Sequence, residues 1–498
     1  MGISTAIDPS AVARVIGIKT EYKDLRPGNI LFLPQRIAIV GQGTTAATYA
    51  LTKRQITSAI EAGEVYGYGS PIHLAARQLF PVNGDGVGSI PVTVYPLDDA
   101  QTGVASSGDI TPSGTPTAAG GYYVLVNNIR SAAFVISVGM SVEQMIDAMV
   151  AAINAVPEMP VIATDNTTVL VLASKWKGVS ANDIKVAVTG PTTYGVSFAI
   201  TQPTGGLVNP DVDTALALIG PVWETLVINC LDIADTTTLG KYYTAGAGRW
   251  GAQVRKPFVV FTGNTATAVA DATTVSDARK TDNVNAQIVL PGSAELPLVV
   301  AARAVSRIAV RANSNPAFDF GGLDLAGLTP GADGSQWLYA SRDAAVKKGS
   351  STVEIRDGVA VLGDVVTFYH PANDPLPAYR YVIDIIKLQN IIFNIDLIFT
   401  APEWNGAPLI PDVQPTINRA AKKPRMARAA IGAVADSLGL NAIISDPAIT
   451  KNGTVAEIDD QNPKRLNVVV PVALAGNTNI ISIDLQFGFY FGTSAIVA

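Results

Sequence analysis

A chain of 498 residues with 48% apolar and 15% charged side chains carries a formal net charge of −6. That length exceeds one compact core, so roughly two to four domains are expected; the apolar content excludes bulk disorder, and the acidic balance argues against general nucleic-acid binding. The single cysteine, Cys230, excludes an internal disulfide framework and fits a reducing compartment.

Residues 1–30 show no strong period and read as an N-terminal arm. They lack a charged segment followed by an apolar run, so no signal peptide is expected there. Ile37–Val40 is a short buried strand running into Gly41-Gln42-Gly43. Pro71–Phe80 is predicted helical, and Ile90–Tyr95 a second strand. From Asp98 to Gly120 the chain turns to Gly, Ser, Thr, Pro and Ala, the composition of a boundary and a loop.

A different texture follows. Tyr122–Val126 and Ala133–Val138 read as strands, and Ser141 opens a helix that runs to Ala155, with Glu143 and Gln144 in its first turn. Val161–Ala163, Val169–Ala173, Ile184–Val188 and Ser197–Thr201 complete a β-rich unit that closes at Gly205-Gly206. Residues 98–206 therefore read as a domain inserted in a loop of another, whose core comprises 31–97 and 207–465.

The first texture resumes after Asn209. Helices at Asp213–Ile219, Thr236–Ala247, Thr273–Lys280 and Glu295–Arg311 alternate with strands at Thr225–Cys230, Phe258–Phe261 and Ala286–Leu290. Such alternation predicts an α/β fold (α+β overall), with a sheet core covered by helices on both faces. Arg356-Asp357-Gly358 marks a hairpin between Thr352–Ile355 and Val359–Leu362. Tyr381–Phe399 is the most apolar long window, but it carries Asp384, Lys387, Asn390, Asn394 and Asp396. Those groups cost too much for a lone membrane span, so a largely buried helix with a polar stripe is expected, and no membrane insertion.

The tail, 466–498, reads as a strand hairpin and arm. Ile481, Ile483, Leu485, Phe487, Phe489 and Phe491 fall on one side of an extended chain, with Val468–Val472 as the expected partner strand. A terminus so apolar must be paired, in its own subunit or in a neighbour.

Catalytic chemistry is hard to place. His73, His370 and Cys230 have no metal-ligand spacing, so neither a metal nor a cofactor is expected. Gly41-Gln42-Gly43-Thr44-Thr45 lacks the Gly-Lys-Ser/Thr ending of a phosphate loop and reads as a tight turn. The acid pairs Asp211/Asp213 and Asp459/Asp460 sit beside Asn-Pro segments, where caps and turns explain them.

Five pieces together carry a family resemblance: Pro34-Gln35-Arg36 with Ile37–Gly43; Gly205-Gly206-Leu207 through Ala217; Arg249-Trp250-Gly251; Lys348-Gly349-Ser350-Ser351-Thr352 through Thr367; and Asp459–Asn467 leading into the last strands. In order and spacing they resemble the tail sheath proteins of contractile phage tails, the Mu-like group in particular. The resemblance implies a multi-domain structural subunit and no enzyme. It implies stacked hexameric rings around a tail tube, whose contraction drives the tube through the host envelope. Tail tube, baseplate and tail terminator proteins are the implied partners. The implied location is the virion, after assembly in the host cytoplasm. A phage-derived injection particle fits the same resemblance; an enzyme on an α/β fold or a secreted surface-layer protein fits less well.

Two sets of site residues follow from that resemblance. Ile481, Ile483, Leu485, Phe487 and Phe489 are expected to pair with a neighbouring subunit through alternate side-chain pockets. A basic helix around Ala420–Leu438, carrying Lys422, Lys423, Arg425 and Arg428, is expected to face the tube.

Overall fold

The computed structural model describes residues 30–374 and 378–489. The segment 1–29 and residues Tyr490 and Phe491, assigned above to the arms, lie outside the described residues. The chain divides into two compact bodies. One comprises Phe32–Phe393 and residues 474–489; the other comprises Asn394–Ala473 with residues 30 and 31.

In the first body the chain begins with β1 (Ile37–Gln42), β2 (Arg54–Ile56), α1 (Ala59–Tyr66), α2 (Pro71–Leu79) and β3 (Val92–Leu97). Ser58 and Ser70 cap the two helices by accepting from Glu61 N–H and His73 N–H. A β-rich stretch follows with β4 (Ala105–Gly114), β5 (Gly120–Val126), β6 (Ile129–Arg130), β7 (Phe134–Ile136), α3 (Val142–Asn154), β8 (Val161–Asn166), β9 (Val169–Lys177), β10 (Val186–Thr189) and β11 (Val196–Thr204). The chain then returns through α4 (Asp213–Ile219), β12 (Leu226–Asn229), α5 (Thr236–Arg249), β13 (Val259–Asn264), α6 (Val269–Ala278), β14 (Asn285–Val289), α7 (Pro297–Ser314), α8 (Tyr339–Lys347), β15 (Ser351–Arg356) and β16 (Val359–Leu362).

Eight of these strands form one sheet in the order β16-β15-β14-β13-β12-β1-β3-β2. Its middle, from β15 to β3, is parallel, and antiparallel β16 and β2 close the ends. Every residue of β1, β3, β12, β13 and β14 is buried, as a sheet covered on both faces requires. The period of two divides the layers. Ile37, Ile39, Leu226 and Ile228 join the cluster containing α2 and α7, while Ala38, Val40 and Val227 pack with α4 and α5. Each such buried Ile, Leu or Val side chain contributes about 1.5–3 kcal/mol of gross stabilisation. At one end of the sheet β2 is three residues long and charged, and at the other the stretch around Asp324 bridges Val361 of β16. Both devices blunt the sheet against edge pairing.

The stretch from Ala105 to Thr204 builds two further four-stranded sheets, β11-β4-β9-β8 and β10-β5-β6 with β7 on β5. A capping box between Ser141 and Gln144 starts α3, as the sequence predicts. One expectation is corrected here. The Gly/Ser/Thr-rich run from Asp98 to Gly120 is not a loop, because Ala105–Gly114 is a ten-residue strand between β11 and β9. Strand neighbours on both edges override its poor β propensity. The small residues also serve a purpose: a Cβ on Gly108 would meet Thr201 O at 2.5 Å.

The helix α9 (Val382–Thr400) follows, matching the predicted Tyr381–Phe399 window, with Lys387, Asn390 and Asn394 among its buried polar groups. The second body contains α10 (Pro424–Leu440), α11 (Pro447–Gly453), β17 (Val455–Ile458) and β18 (Leu466–Val469). Ala427, Ile431, Ala435 and Leu438 form the buried stripe of α10 at helical spacing. Leu466–Val469 pairs antiparallel with Val455–Ile458, not with the final apolar run. The reason is local. The Asp459 carboxylate gathers Gln461 N–H, Asn462 N–H and the Asn467 amide, closing the chain on itself immediately before β18.

Candidate assembly site

Strand order reverses at β1, which lies between β3 and β12. In an open parallel sheet the crevice beyond the carboxyl ends of such strands is the usual ligand site. Here it is filled. Gln42, at the end of β1, donates to Asp99 and to Lys177 O. Beyond it, Gly43 N–H donates to Tyr49 Oη, Thr44 N–H to Tyr66 O and Thr45 N–H to Lys175 O. The amides that a phosphate would need are therefore already engaged. A Cβ on Gly41 would meet Cys230 Cβ at 2.8 Å, so the two strands pack without a gap.

The other chemical candidates are also accounted for. Cys230 is buried, and burial pushes its thiol pKa up. His73 accepts Gly69 N–H at Nδ1, and burial, with Arg77 nearby, lowers its pKa to about 4. His370 Nε2 lies 3.3 Å from Asp277, a carboxylate shared with Lys280 and Lys348. The pair Asp211 and Asp213 holds Lys241 at 2.5 and 2.8 Å. Among the described residues no group of three or more His, Cys, Asp and Glu could hold a metal ion. Nor is any helix among them long and apolar enough to cross a membrane.

What remains is the tail segment. Its root is held firmly. Lys387, a buried residue of α9, donates to Ala475 O and to Asn477 Oδ1, both at 2.5 Å, with Asp384 Oδ1 3.8 Å away. Asn477 in turn donates to Ala317 O. Burial pushes the Lys387 ammonium pKa down and the Asp384 carboxyl pKa up. Past Asn477 the burial stops. Ile481, Ile483, Leu485, Phe487 and Phe489 are between 74% and 83% exposed, and no strand forms over them. Consecutive exposed apolar side chains of this size mark an interaction surface.

A complementary feature sits in the second body. Among the described residues β17 and β18 pair only with each other. A two-stranded ribbon is marginal alone; Ala456 O on the outer edge of β17 accepts from Arg428, so the edge of β18 is the one whose main-chain groups are left, among the described residues, for a further strand. Val455 and Val469, paired across it, are 55% and 66% exposed.

The basic residues are arranged differently from a uniform charged helix face. α10 begins at Pro424, so Lys422 and Lys423 precede it and Lys423 is its N-cap residue. Lys423 is buried and donates to Asp412 O and Gln414 O. Lys422 Nζ lies over the Trp404 ring at 5.2 Å, and Arg428 pairs with Asp412 at 2.9 Å and donates to Ala456 O. Of the four, only Arg425 is exposed. The lysine at the tail root has a signal in the sequence, a cation inside the most apolar window of the chain. Its acceptors, 88 and 90 residues away, have none.

Over 445 residues the chain is 23% identical to the Mu-like prophage FluMu tail sheath protein of Haemophilus influenzae, covering 87% of this chain and 88% of that one. That relative is a tail sheath protein. The five sequence pieces described above point to the same kind of protein. No family model matches. Solved structures similar to this chain include a sheath tail protein from Desulfitobacterium hafniense, at 11% identity and a TM-score of 0.46, covering 93% of this chain and 97% of that one. The anti-feeding prophage helical sheath in its contracted state is similar at 12% identity and a TM-score of 0.46, over 96% and 99% of the two chains.

Proposed function

We propose that this chain is the structural subunit of a contractile tail sheath, polymerising as stacked hexameric rings around a tail tube and contracting to drive that tube through a host envelope. The observation that carries the reading is the similarity to a Mu-like prophage tail sheath protein along most of both chains. An exposed apolar arm on a fixed root, together with a two-stranded ribbon that pairs, among the described residues, only with itself, gives it a physical means. The arm of one subunit adds to the β17–β18 ribbon of another. Main-chain hydrogen bonds supply the affinity, and Ile481, Ile483, Leu485, Phe487 and Phe489 supply the register. The role is structural and not enzymatic. Tube, baseplate and tail terminator proteins are its partners, and the virion tail its location after assembly in the host cytoplasm. Residues 98–206 act as an inserted domain, since Val104 and Leu207 bridge antiparallel at its base.

Negative-stain microscopy of the purified protein tests the reading. Tubes or stacked rings are expected at micromolar concentration. Single particles at every salt and protein concentration would overturn it.

A further inference from the structure

The tail changes character over two residues. Up to Asn479 it is pinned by side chains, and from Ile480, itself 86% exposed, it is open to solvent. The pin is unusual in kind. A lysine ammonium is among the groups least often buried, because its desolvation is costly unless every donor finds an acceptor. The Lys387 side chain is only 1% exposed, and its partners are a backbone carbonyl, an amide oxygen and, at 3.8 Å, a carboxylate. An apolar residue on this face of α9 would pack the same segment without direction. The charge-assisted bonds instead fix two particular acceptors, Ala475 O and Asn477 Oδ1. Asn477 passes the constraint on through its own bond to Ala317 O, in the loop after α7.

We infer that Lys387 is the positioning residue of the C-terminal arm: it clamps the root at Ala475 and Asn477, so that residues from Ile480 onward leave the body from a fixed point. The inference rests on the assembly reading above and deepens it. The clamp sets where the arm starts and the exposed alternating face decides what it binds. A pull on an engaged arm is resisted by a buried ammonium with several acceptors, and local opening of the root then requires exposing them together. Loss of Lys387 leaves Asp384 partly exposed to water and so does not strand a fully buried charge.

The test is limited proteolysis of the full chain with thermolysin, kept soluble at low concentration, comparing the parent with Lys387→Met and with Asn477→Ala. Both variants are expected to raise the rate of cleavage at Leu474 and Ala475 about tenfold or more while leaving β13 and β14 uncut. Both are also expected to slow tube formation, which a packing role for the methylene stem would not require of Asn477→Ala. Unchanged cleavage at Leu474 and Ala475 in either variant overturns the clamp. Faster cleavage with normal tube formation overturns its role in positioning the arm. Absence of tubes in the parent itself counts against the assembly reading and not the clamp, which the cleavage data judge alone.

Discussion

The side-chain amide of Gln42 donates to the Asp99 carboxylate at 2.5 Å, at the point where the strand order of the sheet reverses. Asp99 also accepts from Thr45 Oγ1 and Lys177 N–H, so one carboxylate joins the end of β1 to the end of β9. A crevice that could admit a ligand is thereby made into a structural joint. Asp99→Ala removes three acceptor contacts and should lower stability by about 1–3 kcal/mol. Denaturant unfolding measures it; an unchanged midpoint would mean that the joint is held by packing alone.

Arm variants separate assembly from folding. Truncation after Asn479 preserves the Lys387 clamp, and every described residue it removes is exposed. The body should keep its melting temperature and lose tube formation. Leu485→Asp with Phe487→Asp should do the same with the chain at full length. Sedimentation and circular dichroism read the two outcomes. Normal tubes in either variant would take the arm out of the assembly.

The inserted stretch is tied to the rest of its body by specific polar contacts. Lys185 donates to Ser293 O, Asn127 to Ala294 O and Asn128 to Glu295, and the apolar residues of its sheets join the same cluster as β1 and α7. Deleting 105–204 and joining Val104 to Gly205 should leave a folded but less stable sheet. Complete insolubility of that variant, beside a soluble parent, would show that the stretch is not a separable domain.

Asp183 gives a pH signature. Burial, with Asp232 nearby, raises its pKa to about 7 from an ordinary 3.8. Between those values the folded chain holds a proton that the unfolded chain has lost, so this group's contribution to stability falls as pH rises from about 4 to about 7. Above that range the full penalty persists. Asp183→Asn should remove the penalty and stabilise the protein at pH 8 relative to the parent, with the gain shrinking toward pH 4. Melting curves of both proteins across that range check it, and subtraction cancels the opposite titration of His73. A pH-independent difference would overturn the assignment.

The tube contact is best tested at the exposed cation. Arg425→Glu should leave the fold intact and weaken assembly on tubes while sparing sheath-only polymers, each exposed pair being worth about 0.2–1 kcal/mol and repeated around the rings. Lys423→Glu should instead destabilise the 412–423 loop, since Lys423 is buried against carbonyls. Undiminished tube decoration by Arg425→Glu would remove that residue from the interface.

The sequence by itself determined the layers of the large sheet. The runs Ile37–Val40 and Phe258–Phe261 are apolar on both faces, and that is legible because a doubly covered strand turns successive side chains into two cores and favours apolar ones in each. It also determined the Ser141 cap and the Asp357-Gly358 turn, whose positive φ values of 52° and 79° follow from residue type. Tertiary structure decided the rest, because pairing partners are not encoded locally. Ser/Thr-rich Ala105–Gly114 became a central strand through neighbours more than 50 residues away. Leu466–Val469 took Val455–Ile458 as its partner because the Asp459 turn closes over a short loop, at less entropic cost than a longer connection to the tail. And the alternation of Ile481–Phe489 showed that one face needs a cover, but only the fold showed that these side chains stay exposed among the described residues and that their root is fixed on Lys387.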